Sequence, residues 1–329
     1  MRRRAFTSLL CSAVVAQTLP VRAQQPKGLP IVGLVNPTLP LAVTVGPDPV
    51  SPLVRGFVHG MRDLGWIDGR NVIIERRSTE GDPQRAPALF AELIARGVDV
   101  FMIGGARWLQ DAALAATQVI PIVAPFTDDP IAAGLIKSLP RPGGNLTGVM
   151  LATGPEFQDK RLQLLTELVP GLRRVAFLAS KEILQQYQTG VKLNGITVLP
   201  FTYKIGAPYD EVFAHVLREK IDAMMVGGGV HAGGPERLAA FAAEHRVPTM
   251  FPWREGPDAG GLISYGTNVA GVWRQSARLV ARFLEGAKPG DVPVEQPTKF
   301  ELVVNIKTAM ALGLSIPLTL LARADEVIE

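Results

Sequence analysis

The chain has 329 residues, 47 % of them apolar and 19 % charged. That length exceeds one typical core and suits two domains of roughly 100 to 200 residues each, and the composition excludes disorder as the main state. The formal net charge is +4, but it is unevenly placed, as the amino terminus shows.

Met1-Arg-Arg-Arg4 is a basic start, Ala5 to Leu19 an apolar run, and Val21-Arg-Ala23 supplies small residues at a cleavage site. This is the pattern of a secretory signal peptide, and cleavage is expected after Ala23. The apolar run falls short of the ~20 residues that a spanning helix needs, and Gln24, Gln25 and Pro26 follow it at once. Arg3-Arg4-Ala5-Phe6 also fits a twin-arginine pattern, which would mean export after folding. Without Arg2, Arg3, Arg4 and Arg22 the 34 basic residues become 30, against 30 acidic ones. A near-neutral mature chain has no net electrostatic pull on nucleic acid or anionic membranes. The single cysteine, Cys11, leaves with the leader, so no disulfide or thiol chemistry is expected.

Ile31 to Val35 is a short apolar run between Pro30 and Asn36-Pro37, the pattern of a strand buried on both faces. A long aperiodic loop, Pro40 to Pro52, leads to a helix carrying Leu53, Val54, Phe57, Val58, Met61 and Leu64, which Gly65 stops. Val72 to Glu75 is the second strand. Asp82 and Pro83 read as N-cap and first residue of a helix closed by Gly97. Asp99 to Gly105 is strand three, about Leu109 to Gln118 a helix, and Pro121 to Phe126 strand four. Strands alternating with helices imply a parallel sheet covered on both faces.

The plan then recurs. A helix ends at Pro170-Gly171, followed by a strand from Val175 to Ala179, a helix to about Leu193, a strand from Ile196 to Phe201 and a helix from about Pro208 to Lys220. Asp222 to Gly228 aligns with Asp99 to Gly105, and Val247 to Trp253 with Ile120 to Phe126. Asp99 precedes Pro121 by 22 residues and Asp222 precedes Pro248 by 26, so the repeat is of domain length. Arg141 to Gly148 and Gly260 to Gly266 read as strands on which the chain crosses between two lobes. A strongly amphipathic helix follows, with Val269, Val272, Trp273, Val280, Phe283 and Leu284, then a loop, a strand from Phe300 to Asn305 and a short helix. These tail elements must add to lobes already built. The expected fold is α/β, two doubly wound lobes on a three-segment hinge: residues 28–147 with about 266–295, and 148–265 with about 296–329.

No nucleotide fingerprint is present. Gly104-Gly105 and Gly227 to Gly229 follow strands as phosphate loops do, but give neither GxGxxG nor a P-loop lysine; tight turning or close approach explains them. The four histidines lack metal-ligand spacing, so no metal or cofactor is expected. Asp128-Asp129 could be a metal or acid/base pair, yet Asp129-Pro130 also reads as a helix N-cap, which leaves Asp128 for a ligand's amino group. In open parallel sheets ligands sit outside the carboxyl ends of strands. That rule selects Asn36, Ala106, Arg107, Thr127 and Asp128 on one side, Ser180, His231, Trp253 and Arg254 on the other, and Tyr265 at the crossover. Trp108 and Trp253 could close over an apolar or aromatic ligand; Trp108 equally fits a helix residue packing on its own lobe.

The chain resembles the substrate-binding proteins of ABC transporters, in the tryptophan- and tyrosine-binding group with a type I periplasmic-binding-protein fold. The likeness runs over nearly the whole mature chain. It rests on Phe57-Val-His-Gly-Met-Arg-Asp-Leu-Gly-Trp-Ile-Asp-Gly-Arg-Asn71, Ile120-Pro-Ile-Val123, Asp129-Pro130, Gly134 through Gly148, Lys160-Arg-Leu-Gln-Leu-Leu165, Gly260 through Gly266, and Pro297 through Asn305 to Ala322-Arg-Ala-Asp325. The resemblance implies a periplasmic, monomeric receptor for a small organic ligand, with an inner-membrane permease as partner and no enzymatic step. Two departures touch the pocket. Ala106-Arg107-Trp108 stands where relatives carry Gly-Thr-Pro or similar, and Ser180-Lys181-Glu182 replaces a longer loop after Ala179, so amino-acid specificity does not carry over. An exported two-lobed enzyme using Asp128 and His231 is the alternative, but no nucleophile, base and orienter set is recognisable. A module presenting its ligand to a membrane sensor is a third reading.

Overall fold

The computed structural model describes residues 28–151, 154–187, 195–203, 208–231, 234–297 and 299–329. The leader expected over residues 1–23 lies outside them, as does the end of the helix expected to reach Leu193. The first sheet has the order β2-β1-β3-β4-β5, all parallel: β1 (Ile31–Asn36), β2 (Ile73–Ser78), β3 (Val100–Ile103), β4 (Ile122–Phe126) and β5 (Leu146–Met150). Between them run α1 (Pro52–Asp63), α2 (Ala86–Ala95) and α3 (Arg107–Ala116). Successive strand residues alternate between two cores. Val32, Leu34, Val100, Met102 and Val123 join α1 on one face, while Val35, Phe101, Ile103, Ile122 and Ala124 join α2 and α3 on the other.

The second sheet holds β6 (Arg174–Ala179), β7 (Thr197–Thr202), β8 (Ala223–Val226), β9 (Thr249–Phe251), β10 (Ile263–Thr267), β11 (Phe300–Asn305) and β12 (Glu326–Ile328). Its order is β12-β11-β10-β9-β8-β6-β7. Counted from their own first strands, both sheets therefore run 2-1-3-4-5, and the second adds an antiparallel β11 and then β12. Its helices are α4 (Pro155–Leu168), α5 (Lys181–Tyr187), α6 (Asp210–Arg218), α7 (Gly228–His231), α8 (Pro235–Glu244) and α9 (Glu255–Asp258), followed by α10 (Val269–Leu284), α11 (Ile306–Ala311) and α12 (Leu318–Leu321).

The repeat persists at atomic detail. The Asp99 carboxylate accepts from the Ile31 amide at 2.8 Å, where β1 begins. The Asp222 carboxylate accepts from the Arg173 and Arg174 amides at 2.9 and 2.8 Å, where β6 begins. Gly104 N–H donates to Val35 and Gly227 N–H to Leu178, and a Cβ on Gly104 would fall 2.3 Å from Pro37 Cδ. Close approach of the chain to itself thus accounts for glycine there.

Helix α10 follows β10 of the second sheet but packs on the first. Val269, Val272, Trp273, Ala277 and Val280 share one core with Phe57, Met61 and Val149. Glu295 then pairs beside β5, its amide donating to Gly148 at 2.9 Å, before the chain returns to β11. The chain passes between the sheets after Met150, after Thr267 and after Glu295.

Two expectations change. No helix follows Asp129: its carboxylate accepts from the Ile131 and Ala132 amides at 2.8 and 3.2 Å, but the capped segment is a turn that ends at Gly134, φ 71°. The carboxyl end of β8 leads into the four-residue α7 rather than a glycine turn.

Candidate functional site

The strand-end rule is geometrical, and the topology fixes where each candidate falls. Asn36 ends β1, buried, and its Oδ1 accepts from the Thr38 and Leu39 amides at 3.0 and 2.8 Å, turning the chain into the first loop. Ala106 is the N-cap of α3 and supplies no side-chain acceptor, so the first amides of that helix are uncapped. Arg107 donates to Asp111 at 2.9 Å and to the Ala133 carbonyl at 3.2 Å, and stays exposed. Trp108 is half-buried against the α2/α3 core and so packs on its own lobe. Thr127 and Asp128 follow β4, both half-buried, with the Thr127 hydroxyl donating to the Gly105 carbonyl at 3.3 Å.

Across from these, Ser180 follows β6 and its hydroxyl oxygen accepts from the Ile183 amide at 3.4 Å, at the start of α5. His231 is the last residue of α7. Trp253, two residues past β9, is 6 % exposed and belongs to the core cluster that also holds Val149, Leu151 and α10. A side chain from the second sheet thereby enters the core of the first. Arg254 is committed elsewhere: it pairs with Asp258 at 3.1 Å and Glu326 at 2.9 Å, which, in that order, raise its already high pKa further. Tyr265 lies within β10, half-buried, 6.3 Å from the Phe300 ring, itself 5.0 Å from Phe157.

Arg161 on α4 carries a buried, many-times-tied side chain near the crossings, and the strand-end rule does not reach it. It is fully buried. Its Nε donates to the Tyr265 carbonyl at 2.7 Å, Nη1 to Gln158 Oε1 at 3.2 Å, and Nη2 to the Pro252 carbonyl at 3.4 Å. The signal was present in sequence: Gln158, Arg161, Leu165 and Leu168 share one helical stripe, a polar pair on an otherwise apolar face.

A cavity of about 220 Å³ lies on the hinge side, lined by Thr267, Asn268, Gln275, Pro297, Lys299 and Glu301 among others. None of the strand-end candidates lines it. Among the described residues no group of three or more His, Cys, Asp or Glu could hold a metal ion, and no helix is long and apolar enough to cross a membrane.

Comparison with known proteins agrees with this architecture. The family model for ABC transporter substrate binding proteins matches residues 39–328. A tyrosine-binding protein of Clostridioides difficile (strain R20291) is 25 % identical over 268 residues, covering 79 % of this chain and 76 % of that protein. An ABC domain from Streptococcus pneumonia, solved in complex with L-Trp, superposes with a TM-score of 0.80 at 24 % identity, covering 92 % of this chain and all of that one. A conserved domain protein from Vibrio cholerae gives the same TM-score at 23 % identity over 91 % of this chain and all of its own. At such identities the superpositions speak for the fold.

Proposed function

Because this chain belongs to the ABC transporter substrate-binding protein family, we propose that it is a periplasmic, monomeric receptor that closes two lobes over a small organic ligand and hands it to an inner-membrane permease. The lobes in this reading are residues 28–147 with about 266–295, and 148–265 with about 296–329. The observation that carries it is the pair of sheets with one strand order, joined by crossings that follow Met150, Thr267 and Glu295. A ligand touching both sets of strand ends makes its full contacts only when the lobes meet, so binding shifts the population toward closure. No bond is made or broken. The uncapped start of α3 offers amide donors to a carboxylate, and Asp128 an acceptor to an amine. Trp253, Tyr265 and Trp108 supply aromatic surface. The relatives bound to L-Trp or named for tyrosine make aromatic amino acids the first compounds to try.

The test is a thermal-shift screen of residues 24–329 against amino acids, aromatic acids, nucleosides and sugars. A ligand that binds only the folded state raises the melting point, by ~2.7 kcal/mol of stability at a hundredfold excess over Kd. Trp253→Ala and Tyr265→Ala should then weaken binding of the shifting compound at least about tenfold, as loss of one aromatic contact does; Trp253→Ala also opens the core that it fills and so lowers the melting point, while Tyr265→Ala keeps the parent's circular dichroism spectrum. Unchanged affinity in both variants would remove those residues from the site. Recovery of the compound chemically intact after long incubation separates a receptor from an enzyme.

A further inference from the structure

Arg161 ties together three segments that meet where the chain crosses between the lobes. Its own helix α4 begins five residues after β5, at the first crossing. The Pro252 carbonyl lies between β9 and Trp253, and the Tyr265 carbonyl lies on β10, two residues before the second crossing begins. The fit around the guanidinium leaves no slack: a Cβ on Gly266 would sit 3.0 Å from Arg161 Nη2 and 2.0 Å from the Pro252 oxygen. Gln158, 1 % exposed, fixes the third direction of the fork. A planar guanidinium holds several acceptors at set angles, which the single point of a lysine ammonium cannot do. Carbonyls left without this donor in a buried site carry a desolvation cost, so the two strand ends gain nothing by separating from α4.

We propose that Arg161 is the positioning residue of the second crossing, making α4, the Trp253 segment and β10 move as one body when the lobes open and close. The assignment rests on the hinge-closure reading and adds to it the element that transmits motion: α4 already packs on β9 and β10 through Leu162, Leu165 and Leu168, and Arg161 fixes the angle at which the Trp253 segment, seated in the core of the first lobe, leaves that body.

Residues 24–329 contain no cysteine, so Val119→Cys and Glu244→Cys place two spin labels cleanly on exposed positions of the first and second lobes. Interlobe distances are read by double electron–electron resonance without ligand and with saturating L-tyrosine or L-tryptophan. Arg161→Lys and Arg161→Met should broaden the ligand-free distribution and weaken binding of the responding amino acid about tenfold, a usual size for coupling between sites. Amide exchange protection in β6 and β8 should stay at the parent level. A residue that only stabilises the second lobe would instead lower the melting point and leave the width unchanged, and that result overturns the proposal. If neither Arg161 variant folds, Gln158→Ala, which removes the Oε1 acceptor of Nη1, must broaden the distribution; an unchanged width there is equally fatal. Wild-type distances that respond to neither amino acid count against those ligands, whereas the Arg161 assignment is decided by the ligand-free widths.

Discussion

Tyr209 shows what burial does to a single group in this chain. Its ring stacks on Tyr203 at 4.6 Å and on Phe213 at 5.3 Å, and its hydroxyl donates to the Val230 carbonyl at 2.9 Å. Burial first, and Tyr203 second, hold the phenol well above its ordinary value of 10.0. In the unfolded chain the proton leaves near pH 10; in the folded chain it stays. The contribution to stability is therefore full below pH 10 and is lost as pH rises above it toward the folded value. Urea midpoints taken from pH 8 to 11 should fall more steeply in the parent than in Tyr209→Phe, which costs about 1 kcal/mol for the lost hydrogen bond at pH 8. Parallel slopes would mean that the phenol ionises freely in the folded state. Single groups were also where the sequence was hardest to read. Position selected Arg254 as a cleft residue, but its partner Glu326 lies 72 residues away and belongs to a strand that the periodicity does not reveal. Arg161 stands in the sequence only as part of the Lys160 to Leu165 resemblance, because a charge on a helix reads as solvated until its neighbours on the same stripe are counted. Asn36, Thr127 and Ser180 fell at strand ends as expected, since the end of an apolar run is a local signal.

Among elements, the pairing of α1 with α10 decides how the first lobe is closed. Gly56 and Gly60 lie one turn apart on α1, and each lets the α10 backbone come close. A Cβ on Gly56 would fall 2.5 Å from the Ala270 carbonyl oxygen, and one on Gly60 2.7 Å from that of Arg274. Helix propensity alone predicts that Gly→Ala stabilises by about 1 kcal/mol at either position. Crowding against a backbone that cannot rotate away predicts a loss of about 1–3 kcal/mol. The crowding term should win, so both variants should unfold at lower urea with an unchanged m-value; a higher midpoint would show that the seam can widen at little cost. The fold's elements were more legible than this seam. The amphipathic run that became α10 is legible because sixteen residues at helical period outweigh any end effect, and every apolar residue named for it, from Val269 to Leu284, falls within the helix. Strands β1, β3, β4, β6 and β8 are legible because buried parallel strands demand apolar runs, whereas the charged second half of β2, Arg76 to Ser78, carries no such run. The helix expected after Asp129 failed because capping chemistry starts a turn without obliging it to continue, and Gly134 ends this one at once. The short α9, α12 and β12 carry too few residues for any period to register.

At the scale of the whole molecule, the order of elements along the chain and the order in space disagree, and the disagreement has a thermodynamic consequence. The first sheet is complete by Met150, yet the helix that covers one of its faces arrives more than a hundred residues later. Without α10, the Val54, Phe57, Val58 and Met61 side chains would lose their cover on that face. Each such side chain contributes about 1.5–3 kcal/mol when fully buried, and domains of this size hold only about 5–15 kcal/mol of net stability. A fragment of residues 28–150 should therefore lack a cooperative thermal transition. Joined through a flexible linker to residues 268–296, which restore α10 and the pairing of Glu295 beside β5, it should regain one. Cooperative melting of the short fragment alone would show that the first lobe is continuous in sequence and that α10 only decorates it. Failure of both would mean that Trp253, which also enters this core from the second lobe, is needed for the first lobe to fold, so that the two lobes share one folding unit and hinge closure reworks a core common to both.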